Sequence, residues 1–298
     1  MEASTKIMKP IILGIAKGGD PGDLKTFVLS LRKTGYDGDV CLFVDDLAPE
    51  TLHFLHEHRV QLQAFPQRYF VQTRRFFLRF VVDLLPKKLR DRGQISFSQY
   101  YLKLNDARWA CYFDFLRATR GLYSHVMFTD VKDVFFQRQP FDFEWKSPFC
   151  SFYEDPAFVI RDEPHTSGWI REGYGPQETE SLLAKRVICS GVTFAEIDAA
   201  MEYLYIICQH MIRINARGLV DQGVYNYILH RQLLKSAFIY DYPETPVLHT
   251  GLMATEKLQF DEQGLVVNGS GRVVNVIHQY FKHRKALARC LELVTAPA

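Results

Sequence analysis

Short apolar runs that end in charged residues alternate with apolar stripes at helical spacing along this chain, the pattern of strands feeding helices. Ile11 to Ala16 is one such run, followed by a Gly/Asp-rich turn from Lys17 to Gly22. Leu24, Phe27, Val28 and Leu31 fall at i, i+3, i+4 and i+7, which predicts a helix ended by Gly35. Asp39 to Val44 forms the next strand and closes in Asp45 and Asp46. A strand-helix-strand unit with polar residues at its strand ends predicts a parallel, right-handed crossover. A second helix is predicted over Leu104–Thr119, with Asn105 or Asp106 capping its start. Leu104, Ala107, Cys111 and Leu116 follow its buried face, and Arg108 lies beside that stripe. The helix leads into a buried strand, His125 to Thr129, which stops abruptly at Asp130 and Asp133 with the apolar run Val134 to Phe136 behind.

Elsewhere the pattern is less regular. Arg74, Arg75 and Arg79 mix with Phe76, Phe77, Phe80, Val81, Leu84 and Leu85, which predicts a helix with a basic outer face and offers a site for an anionic acceptor or a membrane surface. Pro86 is expected to end it, leaving Lys87–Arg92 as a solvated connection. Glu154 to Lys185, with Gly168, Gly173, Gly175 and Pro176, reads mostly as loop, and loops of that length are usually functional or disordered. Val187 to Ala195 is a strand interrupted by Ser190-Gly191, where glycine marks a close approach of a ligand or another backbone. Ile197, Met201, Leu204, Tyr205, Cys208 and Ile212 line the next helix, and Asp221 is placed to cap another. Leu265–Val274 reads as a hairpin around Asn268-Gly269, and Val276–Lys282 as a strand with His278 at its end.

Composition narrows the possibilities. The chain has 298 residues, enough to bury a large core, and its formal net charge of +2 gives no reason to expect nucleic acid as a partner. Six scattered cysteines without a Cys-x-x-Cys pair fit reduced thiols better than a disulfide framework. The amino terminus lacks the apolar core of a signal peptide, and no run is long enough for a membrane span, so a cytoplasmic protein is expected. His53, His56 and His58 lack the further ligands of a tetrahedral metal site and are read as a surface helix.

The chemistry concentrates at strand ends. Two carboxylates at the carboxyl end of a strand suit a hard divalent cation, and equally a strand terminator that caps a turn. Lys17 either touches a nucleotide or is a solvated turn lysine; the turn after it has neither the Gly-Lys-Ser/Thr ending of a Walker loop nor a Gly-x-Gly-x-x-Gly pattern. Arg108 has the planar fork of either a buried ion-pair partner or a phosphate ligand.

Together these residues resemble GT-A fold glycosyltransferases, more the retaining, family-eight-like branch than the inverting ones. Asp130-Val-Lys-Asp133 resembles the metal-binding Asp-x-Asp motif, and Cys189-Ser-Gly-Val192 the Asn-Ala/Ser-Gly-Val strand that contacts the donor sugar. Asp221-Gln222 resembles the Asp-Gln pair facing the reacting sugar carbon, His278 the histidine completing the metal site, and Arg108 a donor-binding arginine. The matches follow the family's order over most of the chain. The acidic motif is one residue wider than usual, so a turn must begin at Asp130 for both side chains to meet. The Gly-Lys-Pro-Trp run after the histidine is missing, and no aspartate matches the uracil ligand, which leaves the base open.

The resemblance implies an α/β fold: a single GT-A (Rossmann-like) domain over residues 1–298, with a mostly parallel central sheet flanked by helices and a small carboxyl-terminal hairpin and helix. Residues 10–140 would be the nucleotide-binding half and 141–298 the acceptor and donor-sugar half. It implies a metal-dependent transfer, with retention, of a sugar from a nucleotide-diphosphate-sugar donor to the hydroxyl of a carbohydrate, lipid or protein acceptor. Asp130, Asp133 and His278 would hold Mn²⁺ or Mg²⁺. Ala16, Lys17, Arg108, Asp130, Ser190, Gly191 and Lys282 would bind the donor, and Asp221 and Gln222 would form the catalytic pair. An inverting enzyme would need a carboxylate base, for which Glu154, Asp155 and Asp162 are candidates. A sugar-phosphate nucleotidyltransferase and a non-catalytic nucleotide-sugar-binding protein are the alternatives on such a scaffold.

Overall fold

A computed structural model describes residues 8–18, 21–65, 84, 86–214 and 220–296. The strands are β1 (Lys9–Lys17), β2 (Asp39–Asp45), β3 (Val60–Ala64), β4 (Tyr123–Thr129), β5 (Val134–Phe136), β6 (Phe149–Tyr153), β7 (Ile188–Glu196), β8 (Ala237–Tyr240), β9 (Val247–His249), β10 (Gln259–Phe260), β11 (Val266–Val267) and β12 (Val276–His278). Seven of them form a central sheet in the order β3-β2-β1-β4-β7-β6-β8. Only β7 runs against its neighbours; the other adjacent pairs are parallel, as the strand-helix-strand pattern predicts.

Helices cover both faces of the sheet: α1 (Pro21–Lys33), α2 (Pro49–Glu57), α3 (Lys87–Ser98), α4 (Leu104–Ala118), α5 (Pro164–Leu182), α6 (Ile197–Ile214), α7 (Asp221–His230) and α8 (Ala288–Thr295). Ile11 and Leu13 face a core shared with α4, α6 and α7, while Ile12 and Ala16 face a second core shared with α1. Strands buried on both faces read as unbroken apolar runs, which is why β1 and β2 lack polar alternation. Trp109 of α4 is fully buried, edge-on to Tyr112, Phe128 and Tyr203.

A small sheet, β5-β12-β9, sits beside the end of β4. It pairs His278 with Val134 on one side and with His249 on the other. The chain thus turns at Asp130, re-enters as β5, and brings a strand from near its carboxyl terminus against the same corner.

Several expectations are corrected. Pro164 starts a helix, α5, where loop was expected; Glu163 caps it by accepting from the backbone N–H groups of His165 and Thr166, at 3.2 and 2.5 Å. The glycines and Pro176 hid it, because α5 kinks at Gly175, whose φ is 84°. Residues 87–92 are the start of α3, and Pro86 is its cap residue; the basic-aromatic stretch before it lies outside the described residues, apart from exposed Leu84. The cap of α4 is Lys103, and that of α7 is Val220, so Asp106 and Asp221 lie inside their helices, where both are buried. Tyr205 is exposed, and Tyr203 takes the buried place on α6. The turn at Asn268-Gly269 forms, but Val266–Val267 pair mainly with Gln259–Phe260, leaving one bridge to Val273. All six cysteines are free and buried. Among the described residues, no helix is long and apolar enough to cross a membrane.

Candidate functional site

Three strand ends converge. The backbone N–H of Asp130 donates to the Gly191 carbonyl at 2.8 Å, fixing the exit of β4 against β7, and the N–H of Gln279 donates to the Asp133 carbonyl at 2.8 Å. Between these ties the chain bends, so Asp130 and Asp133 face the same point despite their three-residue spacing. The Nε2 atom of His278 lies 3.4 Å from Oδ2 of Asp130 and 3.6 Å from Oδ2 of Asp133. It makes no hydrogen bond although it is buried.

Gly191 makes room for this approach. A Cβ there would overlap the His278 ring, falling 2.5 Å from Nε2 and 3.0 Å from Oδ2 of Asp130. One ligand atom from each of Asp130, Asp133 and His278 lies within 4.8 Å of the others. Two hard oxygens and one imidazole nitrogen, with the nitrogen unpartnered, fit Mn²⁺ or Mg²⁺.

Arg108 ties this corner to α7. Its Nη1 donates to Oδ1 of Asp130 at 2.5 Å and its Nη2 to Oδ2 of Asp221 at 2.8 Å, with both Arg108 and Asp221 buried. Its guanidinium also lies over the Trp109 ring, 4.5 Å from the centroid. Burial opposes the Arg108 charge, but Asp130 and then Asp221 more than offset it and hold its pKa above the usual range. Burial pushes the Asp130 carboxyl up; Arg108 and then His278 pull it well below the usual carboxylate range. Asp133 is raised by burial and by the Asp130 charge, against the pull of His278. Burial lowers His278, and Asp133 and Asp130 raise it beyond its ordinary value. The corner therefore concentrates negative charge on one imidazole.

Gln222 sits next to it. The Ser190 N–H donates to its Oε1 at 3.4 Å, and its Nε2 donates to the Thr166 hydroxyl at 3.0 Å, so β7 and α5 fix the amide between them. Thr166 has no signal in the sequence, because glycines and Pro176 mask the helix that carries it. Asp155 is buried in an ion pair with Lys257 at 2.8 Å, and the exposed Asp162 accepts from the Val159 N–H at 3.3 Å. Glu154 is buried, facing the Cys189 thiol, and burial raises its carboxyl.

The other expected donor ligands already have contacts within the chain. Lys17 pairs with Asp45 at 2.6 Å, and the Ala16 side chain is packed in the core, so only its backbone can meet a ligand. Lys282 donates to the carbonyls of Gly251 and Met253 at 3.3 and 3.1 Å. His53 pairs with Glu57 on α2, and among the described residues no metal cluster forms there.

Asp106 offers a pH test of this end of the sheet. Burial, then the Asp221 charge, pushes its carboxyl up to about 7 from an ordinary value of 3.8. A raised carboxyl favours folding most below the unfolded value and loses that contribution as pH rises through the folded one. Stability is therefore expected to decline between about pH 4 and pH 7 from this group. Asp106→Asn should gain on wild type by roughly 2–3 kcal/mol on going from pH 5 to pH 8, measured by urea unfolding.

No family model matches the chain, and no curated protein matches it. Among solved structures, a galactosyltransferase, LgtC, in complex with donor and acceptor sugar analogues matches 96% of this chain and 94% of its own, at 11% identity and a TM-score of 0.47. An active-site mutant of LgtC matches over the same shares at 12% identity and a TM-score of 0.47.

Proposed function

We propose that this chain is a retaining GT-A glycosyltransferase that moves a sugar from a nucleotide-diphosphate sugar to an acceptor hydroxyl with the help of a divalent cation. The observation that carries this reading is the convergence of Asp130, Asp133 and the unpartnered His278 Nε2 over Gly191, three ligands drawn from distant parts of the chain. The motif resemblance supports the same reading, because the Asp-Gln pair and the Ser-Gly strand end lie at this corner too.

Residues 10–140 would then hold the nucleotide, and 141–298 the sugar and acceptor. Asp130, Asp133 and His278 would hold Mn²⁺ or Mg²⁺, which as a Lewis acid neutralises charge growing on the leaving diphosphate. The bond between the sugar carbon and the diphosphate oxygen breaks, its electron pair leaving with the diphosphate. The acceptor oxygen forms the new bond to the sugar carbon and gives up its proton to the leaving diphosphate oxygen. Arg108 keeps Asp130 ionised and turned to the ion. Asp221 and Gln222 would hold the sugar in line for attack, a contribution of position that unoriented groups lack. Ser190 and Gly191 would meet the sugar through their backbone, and Ala16, Lys17 and Lys282 the nucleotide side.

Turnover of a panel of nucleotide sugars with Mn²⁺ or Mg²⁺ tests the reading. Asp133→Ala is expected to lose about 10²–10³-fold in rate, the size of losing one preset charge. Unchanged turnover in that variant would refute the metal assignment.

A further inference from the structure

Behind His278 lies a second convergence of side chains. Its Nδ1 is 3.0 Å from Nδ1 of His249 and 3.5 Å from the Cys189 thiol, and all three residues are buried. The two histidines occupy paired positions at the ends of β9 and β12, each after two apolar residues, so the parallel register sets their rings face to edge at 5.1 Å. The other ring nitrogen of His249 makes no hydrogen bond, so the contact to His278 is its only hydrogen-bonded use among the described residues. Burying an imidazole for a single contact is more costly than burying an apolar side chain of similar size, and packing alone does not explain it.

Two ring nitrogens 3.0 Å apart need one proton between them. A neutral imidazole has one N–H and one lone pair. If Nε2 of His278 uses its lone pair on an ion beside Asp130 and Asp133, the proton must sit on Nδ1, and His249 Nδ1 must accept it. The thiol is farther away and faces Glu154. The same trio of Cys189, His249 and His278 is close enough to grip a soft ion. That use would take the Nδ1 lone pair of His278, which a neutral ring already ligating through Nε2 does not have.

We propose that His249 is a positioning residue: it accepts the Nδ1–H of His278 and so fixes both the tautomer and the orientation in which Nε2 meets the divalent cation. The proposal rests on the ion site described above. Partners of this kind behind a ligating histidine typically change metal affinity 10–100-fold.

The test uses the full chain and Mn²⁺ alone, with affinity read by electron paramagnetic resonance. His249→Leu is expected to weaken Mn²⁺ binding 10–100-fold, and His249→Asn, whose side-chain oxygen can take the acceptor place, to stay within about threefold of wild type. A purely space-filling role would favour Leu over Asn. In the metal-free protein with ¹⁵N-labelled histidine, a nuclear coupling across the hydrogen bond between the two rings is expected in wild type and absent in His249→Leu. Unchanged Mn²⁺ affinity in His249→Leu, an equal loss in both variants, or no coupling in wild type overturns the proposal. Stoichiometric zinc in the purified protein that disappears in Cys189→Ala also overturns it, because both Nδ1 atoms would then be ligands. Wild type that shows the coupling but binds no Mn²⁺ overturns the ion site itself.

Discussion

Arg108→Ala is expected to destabilise the protein by about 3–5 kcal/mol, the cost of breaking a buried ion pair by removing one partner. Its guanidinium bridges Asp130 and Asp221, and the variant leaves Asp221 buried without a counter-charge. At about 2–4 °C per kcal/mol for domains approaching this size, the unfolding midpoint should fall by roughly 6–20 °C. The deficit should shrink in acid. Burial already raises the Asp221 carboxyl against the pull of Arg108; without the arginine it rises further, so the variant is favoured below the unfolded carboxylate value and loses that contribution as pH increases. The loss measured at pH 8 should therefore exceed that at pH 5. Arg108→Lys keeps the charge but not the fork that reaches two carboxylates, and should fall between. A midpoint within a degree or two of wild type for Arg108→Ala would show that the bridge contributes little.

The sequence makes the frame of this corner legible. Apolar runs ending in Asp130 and His278 mark strand ends, and those ends are where the side chains gather. The wide spacing of Asp130 and Asp133 demands a turn, because alternate strand positions face opposite sides, and the chain does bend there. What one dimension hides is pairing. Arg108 can be placed on a helix face, but its bridge to Asp221 spans 113 positions and has no local mark. Helix α5 was obscured because Gly168, Gly173, Gly175 and Pro176 break the stripe, although Glu163 and Pro164 form a recognisable helix start. His249 was missed for another reason. Val247-Leu-His249 and Val276-Ile-His278 are near-copies of one tripeptide, and each closes a strand. That likeness was the available signal, and only the parallel register of β9 and β12 turns it into a contact.

The substitution that adds one methyl group should be nearly as damaging to the proposed ion site as removal of a ligand. Gly191→Ala puts a Cβ into the His278 ring, 2.5 Å from Nε2 and 3.0 Å from Oδ2 of Asp130. The ring has no way to withdraw, since its far side is held by His249 and Cys189 and the residue is 1% exposed. Nor can β7 retreat: it is paired on both sides, with β4 and with β6. Overpacking of this kind costs about 1–3 kcal/mol in stability. The larger effect is on function, because the methyl occupies the approach to Nε2. Mn²⁺ affinity and nucleotide-sugar turnover should each fall by about 100-fold or more, an effect that only about 3 kcal/mol of misplacement supplies. A double substitution separates the two effects. In Gly191→Ala/His278→Ala the clash disappears, so the pair should be less destabilised than the sum of the single variants by at least about 0.5 kcal/mol, while Mn²⁺ binding stays lost. Additive stabilities, or Gly191→Ala with wild-type Mn²⁺ affinity, would place the imidazole somewhere other than over this glycine and remove the third ligand from the site.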